Sequence, residues 1–350
     1  MILEKTLENE RHIIEELATS AGVDALDPAV NPDETDTQLR PRYLKELIGR
    51  EREKEILSLL IHSVKGAADS KAIDHVLFYG PPGLGKTTFA HIVANELGVN
   101  IKVTSGPAIE RQGDLVAILT NLSEGDVLFI DEIHRMRKNV EEVLYPAMED
   151  FKVDLIMGQG PGAQSVRFTL PKFTLIGATT RMGLLSSPFR DRFGALIHLD
   201  FFSHEELVAL LERLLKQDKI NSEPEALQEI AKRSRGTARV AIRLFKRVKE
   251  YVAANAQDSV VTLKMAQKTL SLLGIDSLGL DDLDRKILEL LITKFEGGPV
   301  GLKTISAALA EEEDTIEDVY EPYLLRAGLL KRTNRGRVAT SLAMEHMELN

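Results

Sequence analysis

One stretch, VLFYGPPGLGKTTFAHIVANEL at 76–97, limits what this chain can fold into more than any other. A β-branched and aromatic run from Val76 to Tyr79 meets a glycine-rich turn, and a helical pattern sets in at Lys86. Gly80, Gly85, Lys86 and Thr87 fall on the spacing G-x-x-x-x-G-K-[ST]. Glycines there let the backbone curl until successive N–H groups point inward at a polyphosphate, and the following helix adds the positive end of its dipole. Lys86 can reach the outer phosphates, and Thr87 can place its hydroxyl on Mg²⁺. An ordinary strand-to-helix turn requires neither residue. The stretch therefore predicts a phosphate loop leaving a strand, and with it binding of a nucleoside triphosphate.

A second stretch, DVLFIDEIH at 126–134, completes the pattern. Four apolar residues, Val127 to Ile130, read as a parallel strand buried on both faces, and the strand ends in Asp131 and Glu132. Carboxylates at the end of so apolar a strand are costly without a cation or substrate nearby. Taken alone, the pair fits an exposed strand end equally well. Downstream of a phosphate loop it occupies the Walker B position, where Asp131 would hold the Mg²⁺ water shell and Glu132 would orient the attacking water.

Composition narrows the class. The chain has 350 residues, enough for two or three domains, and no cysteine, which excludes disulfides and thiolate chemistry. No apolar run approaches the ~18 residues of a membrane span, and acids occupy the N-terminus where a signal peptide would be apolar, so a cytoplasmic protein is expected. Tryptophan is absent, which disfavours stacking platforms for single strands. The net charge of −10 is concentrated in residues 1–38, which carry ten acids against Lys5 and Arg11. That local excess leaves room for a basic site elsewhere.

In chain order, residues 1–38 read as an acidic, partly disordered extension, with an optional short helix in its first twenty residues. Residues 39–202 read as a large α/β domain with a parallel sheet. Its expected elements are a helix from Glu51 to Lys65, a strand at 99–103, helices at 114–122 and 139–150, a β-hairpin over 152–172 and a strand at 173–180. Residues 203–275 read as a small helical domain, with helices near 203–217, 224–234 and 237–254. Residues 276–350 read as a winged helix of three helices and a hairpin turning at Asn334-Arg335-Gly336. Its hairpin holds Lys331, Arg332, Arg335 and Arg337 with no acid from 328 to 340, although residues 281–350 together carry 14 acids against 9 bases. Such a wing can lie along a groove with its arginines on phosphates.

Taken together, LRPRYLKELIG, HVLFYGPPGLGKTT, VLFIDEIHR, EEVLYPAMEDF, FTLIGATTR, LLSSPFRDRFG, RSRGTAR and the GGPVGL to RGRVAT module resemble the AAA+ ATPases. Within them they are most similar to the RuvB family of bacterial Holliday-junction branch-migration motors, over residues 39 to about 347. The resemblance implies a P-loop AAA+ domain, a helical lid and a DNA-binding winged helix. It also implies ATP with Mg²⁺, a homo-oligomeric ring expected as a hexamer, and four-way-junction DNA. The 152–172 hairpin would dock on a RuvA-type junction-binding partner.

By the same resemblance Leu39, Arg40 and Ile48 would line the nucleotide pocket. Gly83, Gly85, Lys86, Thr87 and Thr88 would hold phosphates and metal. Asp131 and Glu132 are the Walker B acids, and Thr180 is sensor 1. Arg192 would be the arginine finger that reaches a neighbouring subunit's nucleotide, with Arg190 as the alternative. Glu149, Asp150 and Phe151 join the nucleotide-contact set, as do Phe202 and the sensor 2 residue Arg239. Arg332, Arg335 and Arg337 would touch DNA. The chain departs from the usual pattern at Ala238, where proline is common, at Ile242, where asparagine is common, and at Phe202, where tyrosine is usual.

Two other readings compete. A nucleotide-switched DNA binder, such as an initiator or clamp loader, shares the AAA+ core. Sequence readout, however, needs a helix with base-reading side chains, and the third winged-helix helix presents Glu317, Asp318 and Glu321. A protein remodeller would need an aromatic pore loop, and the sequence offers no convincing one.

Overall fold

The computed structural model describes residues 40–65, 72–157, 164–255 and 260–348. The acidic extension, Leu39 and the tip of the 152–172 hairpin lie outside the described residues. The chain forms two compact units. One holds the residues up to Gly80 with Lys86–Leu199, and the other holds Pro81–Gly85 with the residues from Asp200 onward.

The first unit is built on a parallel sheet of β1 (Val76–Tyr79), β2 (Ile101–Ser105), β3 (Val127–Asp131), β6 (Thr174–Thr179) and β7 (Ala195–His198). Its order is β2-β3-β6-β1-β7, and all four pairings are parallel. The central strands carry uninterrupted apolar runs because helices cover both of their faces; Val76–Phe78, Val127–Ile130 and all of β6 are buried. Helices Glu51–Lys65, Lys86–Leu97, Gln112–Thr120 and Lys138–Glu149 connect and cover the strands. Leu77, Ile130, Leu144, Phe173 and Phe189 sit in one core, and Phe78 stacks on Phe89 of the phosphate-loop helix. The remaining strands, β4 (Lys152–Met157) and β5 (Gln164–Thr169), pair antiparallel as a separate hairpin, as expected. Since every sheet strand runs the same way, the ends of β1, β3 and β6 that carry Tyr79, Asp131 and Thr179 lie at one edge. Open α/β sheets bind ligands at that edge.

The second unit contains helices His204–Asp218, Pro224–Lys232 and Ala238–Asn255, close to their expected positions, and a fourth, Leu263–Leu272, that was not expected. The Thr262 hydroxyl caps the fourth helix by accepting from Met265 N. After it come helix Asp282–Glu289, helix Leu302–Leu309 and a helical run from Glu313 to Arg326 with a π-helical middle at Ile316–Tyr320. The wing pairs Leu330–Thr333 with Gly336–Ala339, and Val300 bridges to Arg337 as a third, one-residue strand. A last helix, Ser341–Glu348, closes a core of Leu288, Leu291, Ile305, Leu324 and Leu330.

Candidate active site and nucleic-acid interface

The phosphate loop begins where β1 stops. Gly80, Gly83 and Gly85 have φ of +136°, +78° and +96°, and a Cβ at Gly80 would lie 2.2 Å from the Leu199 carbonyl oxygen. Only glycine supplies this path cheaply. Lys86 opens the next helix and is only 7% exposed. Its ammonium donates to the Gly80 carbonyl at 2.8 Å. A buried ammonium held on a neutral carbonyl, at the positive end of a helix, is matched to an incoming anion. Thr87 and Thr88 follow, half-buried. Residues 40–48 run along the same helix: Leu44 N donates to Glu96 Oε1 and Asn95 Nδ2 to the Arg42 carbonyl. Burial, with Arg40 adding to it, pushes the His91 pKa down. Ile48 is half-buried in this strap.

At the end of β3, Asp131 Oδ1 accepts from Glu132 N at 2.9 Å. Glu132 itself is left-handed, with φ 47° and ψ 43°, a conformation costing ~1–3 kcal/mol for a non-glycine residue. Gly106 helps hold it there. Its N–H donates to the Asp131 carbonyl at 2.7 Å, and a Cβ on it would approach the Glu132 carbonyl oxygen to 2.5 Å. The bend aims the Glu132 carboxylate at β6, where Oε2 accepts from Thr180 Oγ1 at 3.2 Å. His134, almost fully buried, stands 3.4 Å from the same oxygen and 2.9 Å from Thr179 Oγ1. Glu132 and Thr180, expected as Walker acid and sensor 1, are thus in direct contact. His134 and Gly106 escaped the sequence reading, although His134 stands in the quoted Walker stretch. Among the described residues no group of three or more His, Cys, Asp or Glu side chains is arranged to cage a metal.

A second cluster surrounds Arg192. Its guanidinium lies 4.2 Å over the Tyr145 ring and donates from Nη1 to the Pro188 carbonyl at 2.6 Å. Its Nε is 3.2 Å from Glu149 Oε1, an ion pair and not an aligned hydrogen bond. The Tyr145 hydroxyl donates to Glu141 Oε1 at 2.6 Å, and Ser186 Oγ donates to the same oxygen at 2.7 Å. Burial, reinforced by Glu141, pushes the Tyr145 pKa up, so the hydroxyl stays a donor. Glu149 and Asp150 are exposed beside the half-buried Phe151. Tyr145, which the sequence reading missed, is thus the shelf for Arg192. Cation–π contacts contribute ~0.5–2 kcal/mol, so Tyr145→Ala should slow steady-state ATP turnover by about tenfold, while Tyr145→Phe should change it little.

In the second unit Arg239 is exposed, and its backbone N–H donates to the Gly83 carbonyl at 3.3 Å. Gly83 also faces Thr237, whose Cβ would lie 3.5 Å from an added methyl. Ala238 begins the helix there without proline's help. Phe202 is almost fully buried, with its N–H on the Gly236 carbonyl. Burial of the ring and this backbone bond fix where Phe202 sits beside the Gly236 turn.

The wing arginines differ in their surroundings. Arg332 and Arg335 are exposed, with Arg332 paired to Glu317 at 2.9 Å. Arg337, expected on DNA, is only 9% exposed and grips Glu321 in a two-pronged pair of 3.2 and 2.9 Å. Burial of the strand's inward face and the matching carboxylate turn it toward the third helix. Arg337→Ala would strand Glu321 as an unpaired buried charge and should cost roughly 3–5 kcal/mol in a urea melt. Arg335→Ala should leave the melt unchanged and lower the salt dependence of duplex binding by about one counterion.

Comparison with known proteins gives the family. The model of the Holliday junction DNA helicase RuvB P-loop domain matches residues 39–199, that of the RuvB AAA lid domain 202–276, and that of the RuvB C-terminal winged helix domain 277–348. The Holliday junction branch migration complex subunit RuvB of Dehalococcoides mccartyi is 55% identical over 314 residues, covering 90% of this chain and 89% of that one. The solved Thermotoga maritima RuvB Holliday junction branch migration motor is 50% identical with a TM-score of 0.81, covering 89% of this chain and 98% of that one. A substituted form of the same protein, 49% identical over the same shares, gives a TM-score of 0.82. A phosphate loop, a Walker B strand end, a lid and a winged helix occur here in one order and at high identity, and the chain belongs to the RuvB family.

Proposed function

We propose that the chain is an ATP-driven motor that moves four-way DNA junctions by drawing duplex DNA through a homo-oligomeric, six-membered ring. The observation that carries this reading is the contact between Glu132 and Thr180 at the strand ends, where a carboxylate is bent out of ordinary backbone geometry beside a hydroxyl sensor. This arrangement suits a hydrolase better than a passive binder.

Lys86, with the amides of the loop from Gly83 to Thr88, holds the polyphosphate. Thr87 and Asp131 would hold Mg²⁺, which neutralises charge on the phosphate oxygens when bound. Glu132 positions and polarises water, and Thr180 reports to it on the outermost phosphate. Arg192, with Glu149, Asp150 and Phe151, serves a neighbouring subunit's nucleotide, while Arg239 couples the lid to the bound state. Leu39, Arg40 and Ile48 complete the pocket around the base. Arg332 and Arg335 contact duplex phosphates from the wing. The 152–172 hairpin docks on a RuvA-type partner.

The test is ATP-dependent dissociation of a synthetic four-way junction, with and without such a partner. Movement that requires ATP, Glu132 and the partner supports the motor. ATP hydrolysis without junction movement under any condition sinks the motor reading and leaves a nucleotide-switched DNA binder.

A further inference from the structure

The turn that carries Arg239 is gripped from the other side by the winged helix. Arg235, four residues earlier, adopts a left-handed backbone with φ 54°, which costs ~1–3 kcal/mol away from glycine. Its side chain contacts residues of the winged module. Nε donates to the Gly279 carbonyl at 2.7 Å, and the guanidinium lies 5.3 Å over the Tyr323 ring. Nη2 is 2.5 Å from Asp284 Oδ2 and 2.9 Å from Asp281 Oδ2.

These two carboxylates also start the first helix of the winged module. Asp281 Oδ1 accepts from Leu283 N at 3.0 Å and Asp284 N at 3.1 Å, while Asp284 Oδ2 accepts from Asp281 N at 3.0 Å. Arg235 is therefore ion-paired, without an aligned hydrogen bond from Nη2, with both carboxylates of the capping box that starts helix Asp282–Glu289. Burial pushes the Asp284 carboxyl up to about 7 against the pull of Arg235. The pair is thus held despite a desolvation cost that an apolar contact would avoid.

A second grip lies one residue further on. Arg326, from the third helix of the winged module, lies 4.2 Å over the Phe201 ring. Its Nη1 would sit 2.1 Å from a Cβ on Gly236, whose φ is +69°. The Gly236 carbonyl accepts from Phe202 N at 2.8 Å, and Arg239 N donates to the Gly83 carbonyl. Residues 235–239 thus link Gly83 to the helix cap of the winged module through short-range contacts.

We propose that Arg235 is a positioning residue that couples the sensor 2 turn to the winged helix, through its joint grip on Asp281 and Asp284, so that load on the DNA module is felt at the nucleotide. The coupling rests on the motor reading for its biological sense, but its own test is separate. The contacts of Arg235 run to Gly279, Asp281, Asp284 and Tyr323 and not to the phosphate loop or the wing arginines, so its loss should uncouple the two and spare each alone.

Full-length Arg235→Ala, Arg235→Lys and Asp284→Asn chains would be assayed for ATP hydrolysis with and without duplex DNA, for duplex affinity and for junction dissociation. Hydrolysis without DNA, the KM for ATP and duplex affinity should stay near wild type. DNA stimulation of kcat should fall by about fivefold or more, within the usual span of coupling between sites, with junctions moved per ATP falling alongside. Arg235→Lys keeps the charge and loses the fork, so it should recover part of the stimulation. If Arg235→Ala proves unstable, Arg326→Gln tests the second grip in the same assay. Unchanged DNA stimulation in folded Arg235→Ala and Asp284→Asn chains overturns the coupling. A wild-type chain that is stimulated by DNA but moves no junction would instead overturn the motor and leave the coupling standing.

Discussion

Arg192→Ala is expected to bind nucleotide normally and to hydrolyse it at least ~10³-fold more slowly in the assembled ring, the lower end of the range for arginines acting on a neighbour's phosphates. That loss corresponds to about 4 kcal/mol of transition-state stabilisation. Within its own unit Arg192 touches Tyr145, the Pro188 carbonyl and Glu149, which preset its position. Mixing supplies the decisive control. Lys86→Ala subunits keep Arg192 but lose the phosphate grip, and Arg192→Ala subunits keep the pocket but lose the finger. Mixed rings should recover part of the turnover that neither variant shows alone. Normal turnover by Arg192→Ala rings, or co-assembled mixtures with no recovery, would show that the arginine does not act between subunits.

Much of this site was legible in the sequence because its chemistry is local. The phosphate loop compresses a strand end, a positive-φ turn and a helix start into eight positions, and the apolar run before Asp131 states that it is a buried parallel strand. Regular elements with a clear period, such as helix Ala238–Asn255 and the wing hairpin, were readable for the same reason. What escaped depends on contacts between distant residues. Nothing near Arg337 says that Glu321, 16 positions earlier, will claim its guanidinium and bury it. A basic cluster shows charge but not which side of a two-residue alternation faces inward. Tyr145 reads as one aromatic on an amphipathic helix until the chain brings Arg192 over its ring. Helix Leu263–Leu272 was missed although its capping threonine, Thr262, and the spacing of Leu263, Ala266 and Leu270 were in view. The role of Arg235 was hidden in a basic stretch that the family resemblance had already assigned to sensor 2.

Glu132→Gln should separate binding from chemistry more cleanly than any other change to this chain. Glutamine matches the size of glutamate, and its side-chain oxygen can still accept from Thr180 Oγ1, as Oε2 does at 3.2 Å. The left-handed backbone that Gly106 accommodates is equally open to it. What disappears is the negative charge that polarises water. General-base catalysis contributes ~10²–10⁴ in rate, so single-turnover hydrolysis should fall into that range while nucleotide affinity stays near wild type. Thr180→Val should show a smaller loss, because the carboxylate remains and only its anchor is gone. A quenched-flow measurement on both variants ranks the two roles. Comparable losses would mean that holding Glu132 in place matters as much as its charge. Wild-type hydrolysis by Glu132→Gln would move the base elsewhere, and the strained turn after β3 would then have no chemical purpose in this mechanism.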